Sequence, residues 1–125
     1  GDFDLPFPSL VIGTGLGPES AGAFGMACAP EGDNHEQFFD ASASPAYHIV
    51  MTEVGHMDML DQAYYESCGM TCSACVAGTD QAGARQMTWG ALTAFFRGAL
   101  QGDTAAFDIL SSDARAPTVV TLDQK

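Results

Sequence analysis

Two short runs of this chain are apolar at consecutive positions rather than alternate ones: Ser9-Leu10-Val11-Ile12 and Tyr47-His48-Ile49-Val50-Met51. A strand covered on both faces reads this way, so both runs are predicted to be strands of a parallel sheet sandwiched between helices. The first is closed by the glycine-rich exit Gly13-Thr14-Gly15-Leu16-Gly17-Pro18. The second begins after Pro45 and breaks at Val54-Gly55. Between them, Asp33-Asn34 precedes His35-Glu36-Gln37-Phe38-Phe39, which predicts a short helix. Its Asx cap would accept an orphan N–H, Glu36 or Gln37 would bond back, and Phe38 and Phe39 would pin the helix to the core. From Ala84 to Gln101 the period changes to that of a long helix, with Trp89, Leu92, Phe96 and Leu100 on its apolar face. Met87, Ala91, Phe95 and Ala99 widen that face, and Gly102-Asp103 ends the helix. Glu19 to Pro30 reads as a loop or lid. After Thr104 the chain is small, polar and loosely patterned around Pro117, as expected of a tail wrapping the surface or a partner.

Two parallel strands and one helix cannot bury both faces of a sheet, yet each strand is apolar on both sides. The expected fold is therefore α/β, with residues 1–103 forming the C-terminal portion of a doubly wound sheet: its last two strands plus the closing helix, incomplete alone. Residues 104–125 are the tail. The remaining strands would come from an upstream segment or a separate chain, and Gly1-Asp2 reads as an internal cut, leaving any targeting information upstream.

Sixteen acidic against 4 basic side chains give a net charge of −12. Binding to a nucleic-acid backbone or to anionic lipid headgroups needs clustered Lys and Arg, so neither is a natural partner. No run reaches the roughly eighteen apolar residues that a membrane-spanning helix requires.

The candidate chemistry centres on His56. It follows a buried strand and a glycine, where side chains project into the crevice at the carboxyl edge of a sheet. That is the position of the general base in a Ser–acid–His triad, although a lone histidine is as often structural. His48 lies inside the strand and reads as a core histidine with a hydrogen-bond partner. His35, at a helix start, reads as a polar first-turn residue bonded to a neighbouring loop. No nucleophile accompanies His56: Ser20 has Pro18 where a nucleophile elbow needs glycine. The glycines after the first strand miss a dinucleotide fingerprint for the same reason, the third position being Pro18.

Cys68-Gly-Met-Thr-Cys72-Ser-Ala-Cys75 has the spacing of a three-cysteine iron–sulfur cradle, but it sits late in the chain with no barrel around it. Disulfides are expected instead. Cys28, Cys68, Cys72 and Cys75 allow three pairings, and Cys28 joined to one of the triplet would pin the lid to the loop after His56. No metal and no cofactor is expected.

Three stretches, Leu10-Val11-Ile12-Gly13-Thr14-Gly15-Leu16-Gly17, Cys28-Ala29-Pro30-Glu31-Gly32-Asp33-Asn34-His35-Glu36-Gln37-Phe38-Phe39 and Gly55-His56-Met57-Asp58-Met59-Leu60-Asp61, resemble successive signatures of chlorophyllase. The resemblance runs from about Phe3 to Gly102, and the cysteine-rich loop and the tail depart from it. It implies an α/β-hydrolase fold and hydrolysis of the phytyl ester of chlorophyll to chlorophyllide and phytol. Only the triad histidine, matched by His56, would lie in this chain; serine, acid and oxyanion-hole donors would lie upstream. Met57 and Met59 would line an adaptable apolar slot for the pigment. The implied setting is the plastid, in association with thylakoids, and the implied partners are chlorophyll, the N-terminal portion of the hydrolase and a photosynthetic membrane complex. The alternative is a non-catalytic relative that binds pigment or scaffolds such a complex.

Overall fold

The computed structural model describes residues 6–21 and 26–125. Three strands form the main sheet in the order β1 (Ser9–Thr14), β4 (Ala46–Met51), β5 (Val120–Gln124). β1 and β4 run parallel, with Ile12 opposite Ile49 and Thr14 opposite Met51, so both strands deliver their carboxyl ends to the same edge. β5 pairs antiparallel with β4 and closes one side of the sheet, while β1 has no second strand partner among the described residues.

β5 corrects the expectation of two strands, and α5 (Thr104–Leu110) joins it in correcting that of a surface tail. Ala106 and Leu110 of α5 are buried in the core beside Ile49, Met51 and Val54, and Val120 and Leu122 of β5 pack against that cluster. The segment from Glu19 to Pro30 also gains structure: β2 (Ser20–Ala21) and β3 (Met26–Ala27) form a short antiparallel pair. Residues 22–25 of that expected lid lie outside the described ones.

The register sorts the sheet into two faces. Leu10, Ile12, Tyr47, Ile49 and Met51 point to the core shared with α4 (Gln81–Gln101) and α5. Val11, Gly13, Ala46 and His48 share the opposite face, where α1 (His35–Ala41) packs and Phe39 stacks on His48 at 4.7 Å. α1 forms as its sequence suggests. The Asn34 side chain accepts from the Glu36 N–H, and the Gln37 side chain accepts from the Asn34 N–H. Phe38, expected in the core, is 54% exposed.

α4 starts at Gln81, three residues before the expected Ala84, and ends as expected on Gly102 at φ 70, a left-handed cap that glycine adopts without steric cost. Its facing is rotated from the expected one: Met87, Ala91 and Phe95 of the expected apolar face do meet the core, but its bulkiest members do not. The inward face is Gly83, Ala84, Met87, Ala91, Ala94 and Gly98, whereas Trp89, Phe96 and Leu100 are 68, 52 and 77% exposed. Small residues win the inward face because the helix must approach its neighbours closely. At Gly98 a Cβ would stand 2.5 Å from the Phe107 ring of α5. The bulky residues recur seven and four positions apart, and so form one outward stripe.

Candidate active site

His56 sits on the turn that follows β4, at the carboxyl edge of the sheet, and its side chain is exposed. It lines an open cleft of about 460 Å³ along β1 and the start of α1, together with Thr14, Asp33, His35, Phe38 and Met59. Met59 also packs against the core cluster, so the cleft floor is apolar where it meets the turn. Met57 is half-buried beside His56 and is not among the cleft's lining residues. A wider cleft of about 640 Å³ lies between α4 and α5, lined by Trp89, Arg97 and Ile109 among others. It contains no histidine, and its one ion pair, Arg97 with Asp103, is exposed. The acid–base candidate therefore belongs to the smaller cleft.

The turn bearing His56 is fastened from inside by Asp58, a residue that sequence reasoning passed over. It is 1% exposed. Its Oδ2 accepts from the N–H groups of Gly55 at 2.7 Å and Gly78 at 2.6 Å, and its Oδ1 accepts from the Gln81 side-chain amide at 3.1 Å. The only sequence signal for it was an acidic residue between two methionines after a glycine. The four cysteines form two disulfides, Cys28–Cys75 and Cys68–Cys72. The first ties the segment before α1 to the loop that passes over the His56 turn; the second closes the junction of α2 (Gln62–Ser67) and α3 (Met70–Ser73). With every cysteine paired, none remains as a thiolate ligand, and among the described residues no cluster of three or more His, Cys, Asp or Glu side chains could hold a metal ion.

His35 and His48 meet across the α1 face of the sheet, His35 Nδ1 lying 2.9 Å from His48 Nε2. This bond was not legible in the sequence, because the two residues stand on different elements. The Asp123 carboxylate lies 3.8 Å from His48 Nδ1 and favours a proton there, which leaves His48 Nε2 to accept from His35. Gly13 makes room for the pair: a Cβ there would fall 2.3 Å from the His35 ring. Burial holds both rings below their usual pKa of 6.5; for His48 the neighbouring His35 lowers it further, and Asp123, Glu36 and Asp40 oppose this. A histidine whose folded pKa is depressed takes up its proton first in the unfolded state. The pair therefore costs nothing above the unfolded value and subtracts stability as pH falls below about 6.5. The midpoint of thermal unfolding should drop between pH 7 and pH 5, and a His48→Gln variant, which keeps an acceptor for His35, should show a shallower drop. Equal slopes in the two proteins would show that the pair does not set this dependence.

The arrangement is a partial α/β unit: parallel strands delivering a histidine-bearing turn to an open carboxyl edge, with helices on both faces and no hydroxyl or thiol hydrogen-bonded to the imidazole among the described residues. The chlorophyllase family model matches residues 1–125, and the chain belongs to that family. It is 37% identical over 103 residues to Chlorophyllase-2 of Arabidopsis thaliana, covering 81% of this chain and 32% of that protein. It is 38% identical over 120 residues to the chloroplastic Chlorophyllase-1 of Citrus unshiu, covering 92% and 36%. With Chlorophyllase type 0 of Chenopodium album it is 31% identical over 126 residues, covering 98% and 35%. The chain thus spans about a third of the length of the curated relatives it matches.

Proposed function

We propose that this chain is the histidine-bearing C-terminal part of an α/β hydrolase that cleaves the phytyl ester of chlorophyll, giving chlorophyllide and phytol. The observation that carries the reading is the exposed imidazole of His56 on the turn after β4, in a cleft walled by Phe38 and Met59. In the proposed reaction a serine on an elbow outside this sequence attacks the ester carbonyl while His56 takes its proton. His56 returns that proton to the phytol oxygen as the C–O bond breaks. Water then attacks the acyl-enzyme, its proton passing through the same ring to the serine, and chlorophyllide leaves with a free carboxyl group. A carboxylate, also outside this sequence, would hold the second ring nitrogen.

The partner that completes the site is the N-terminal part of the same hydrolase. Three features support this. Among the described residues β1 is an edge strand, and a strand edge is a surface suited to further pairing. Phe7, Phe96 and Leu100 line an apolar cleft beside it, together with Leu10. The relatives are also about three times longer than this chain. By its likeness to the chloroplastic citrus protein, the setting is the plastid, where a thylakoid-associated photosynthetic complex would supply the pigment.

The test is an assay of the full-length protein against chlorophyll and against short-chain p-nitrophenyl esters. Release of chlorophyllide and phytol supports the reading. Turnover of the short esters alone would make the protein a general carboxylesterase, and an upstream sequence without an elbow serine would leave a pigment-binding subunit instead.

A further inference from the structure

The turn that presents His56 carries no regular structure of its own, yet a general base must be held to within about 1 Å of its working position, since a displacement of that size costs on the order of a hundredfold in rate. Val54, buried in the core and accepting from the Leu16 N–H at 3.1 Å, holds the entry to the turn. Beyond it, among the described residues no salt bridge reaches residues 55–60, and the backbone bonds there, from Asp58 N–H to Gly55 O at 3.1 Å and from Leu60 N–H to Met57 O at 3.2 Å, bind the turn only to itself.

Met59 packs against the core cluster, and the hydrogen bonds that tie residues 55–60 to the rest of the fold are those of Asp58. Its Oδ2 gathers the N–H that immediately precedes His56 and the N–H of Gly78, twenty residues on, while its Oδ1 takes the Gln81 amide in the first turn of α4. α4 is in turn anchored in the core three and six residues later by Ala84 and Met87. The backbone meets itself so closely here that side chains are excluded. A Cβ on Gly55 would lie 1.9 Å from the Val76 carbonyl oxygen, and one on Gly78 would lie 2.1 Å from that of Glu53. Cys75, bridged to Cys28, holds the outer end of the same crossing. No hydrogen bond or ion pair joins Asp58 to His56 among the described residues, and both of its oxygens are already occupied. It is not placed to act as the triad carboxylate.

We propose that Asp58 is a positioning residue of the site: acting only as a hydrogen-bond acceptor, its carboxyl group locks the His56 turn to the 76–78 segment and to the start of α4. The proposal rests on the hydrolase reading for its effect on turnover, and on geometry alone for its effect on the turn.

The two roles open to a carboxyl group next to a catalytic histidine predict opposite results for Asp58→Asn. The asparagine carbonyl oxygen can take both glycine N–H groups. Its amide nitrogen then faces Gln81, whose own amide can turn to offer oxygen instead. In the full-length protein, Asp58→Ala should lower kcat on chlorophyll by about 30- to 100-fold with KM changed by less than about threefold, and Asp58→Asn should recover most of that loss. Deuterium uptake at the Gly55 and Gly78 amides of the same proteins should rise sharply in Asp58→Ala and stay near the wild-type level in Asp58→Asn.

A folded Asp58→Asn variant that falls more than about tenfold in kcat would overturn the proposal, because the charge would then be what matters. So would full activity in Asp58→Ala, or equal uptake in all three proteins. If Asp58→Ala does not accumulate as folded protein, Asp58→Asn decides the matter alone by the same tenfold limit. A wild-type protein inactive on chlorophyll would remove the proposed function, and the exchange comparison would still decide the role of Asp58.

Discussion

His56→Ala in the full-length protein is expected to lower kcat on chlorophyll by about ten-thousandfold, with KM little altered. The size of the effect follows from the work assigned to the ring. In the proposed reaction it takes a proton from a hydroxyl that hardly ionises at neutral pH and delivers it to an alkoxide leaving group. His35, the other histidine lining the cleft, has its Nδ1 engaged by His48 on the α1 face of the sheet. The exposure of His56 means that its truncation leaves no cavity, so the variant should unfold at the wild-type temperature. Steady-state kinetics with thermal unfolding on the same samples checks both halves. Turnover within about tenfold of wild type would remove His56 from the mechanism.

The second large effect concerns the fold. Ile49 is completely buried at the centre of β4, between β1 and β5 in the sheet and beneath α4 and α5. Ile49→Ala should destabilise the protein by about 2–5 kcal/mol, the transfer of the lost methyl and methylene groups plus a cavity that a strand paired on both sides cannot collapse. Val119→Ala, at a position 57% exposed just before β5, should cost under about 0.5 kcal/mol, because its backbone carbonyl still accepts from Thr52. Urea unfolding of the two variants gives the comparison. Similar midpoints would mean that the core does not centre on β4.

The contrast between these positions shows where the sequence was readable. β1, β4, α1 and α4 could be located because doubly covered strands and a long helix leave strong patterns over many residues, and because Asn34 and Gly102 mark ends that the backbone chemistry demands. The facing of α4 was read correctly at Met87, Ala91 and Phe95 and misread at its bulkiest residues. Pattern reading gives weight to large apolar side chains, but apart from Met87 the buried residues of the inward face are alanine and glycine, and Trp89, Phe96 and Leu100 turn outward. β5 was missed because Val120-Thr-Leu-Asp-Gln124 is an edge strand with one half-covered face, and its identity comes from pairing with β4 some seventy residues earlier.

The same division holds for the site. The placement of His56 at the sheet's carboxyl edge was legible from its position after a strand and a glycine. The Asp58 clasp and the His35–His48 bond were not, since each joins residues that only the tertiary fold brings together: Asp58 to Gly78 and Gln81, His35 to His48. Local pattern specifies which residues stand at a sheet's carboxyl edge, whereas the groups that hold them there are specified by close backbone crossings.

The most direct test is the distance from the His56 ring to the attacking hydroxyl, in a crystal structure of the full-length protein carrying a phosphonate mimic of the ester transition state. A serine Oγ bonded to phosphorus, with a His56 ring nitrogen about 2.6–3.2 Å away, is the predicted arrangement. A phosphonate held by a serine that another histidine serves, with His56 pointing to solvent, would contradict it.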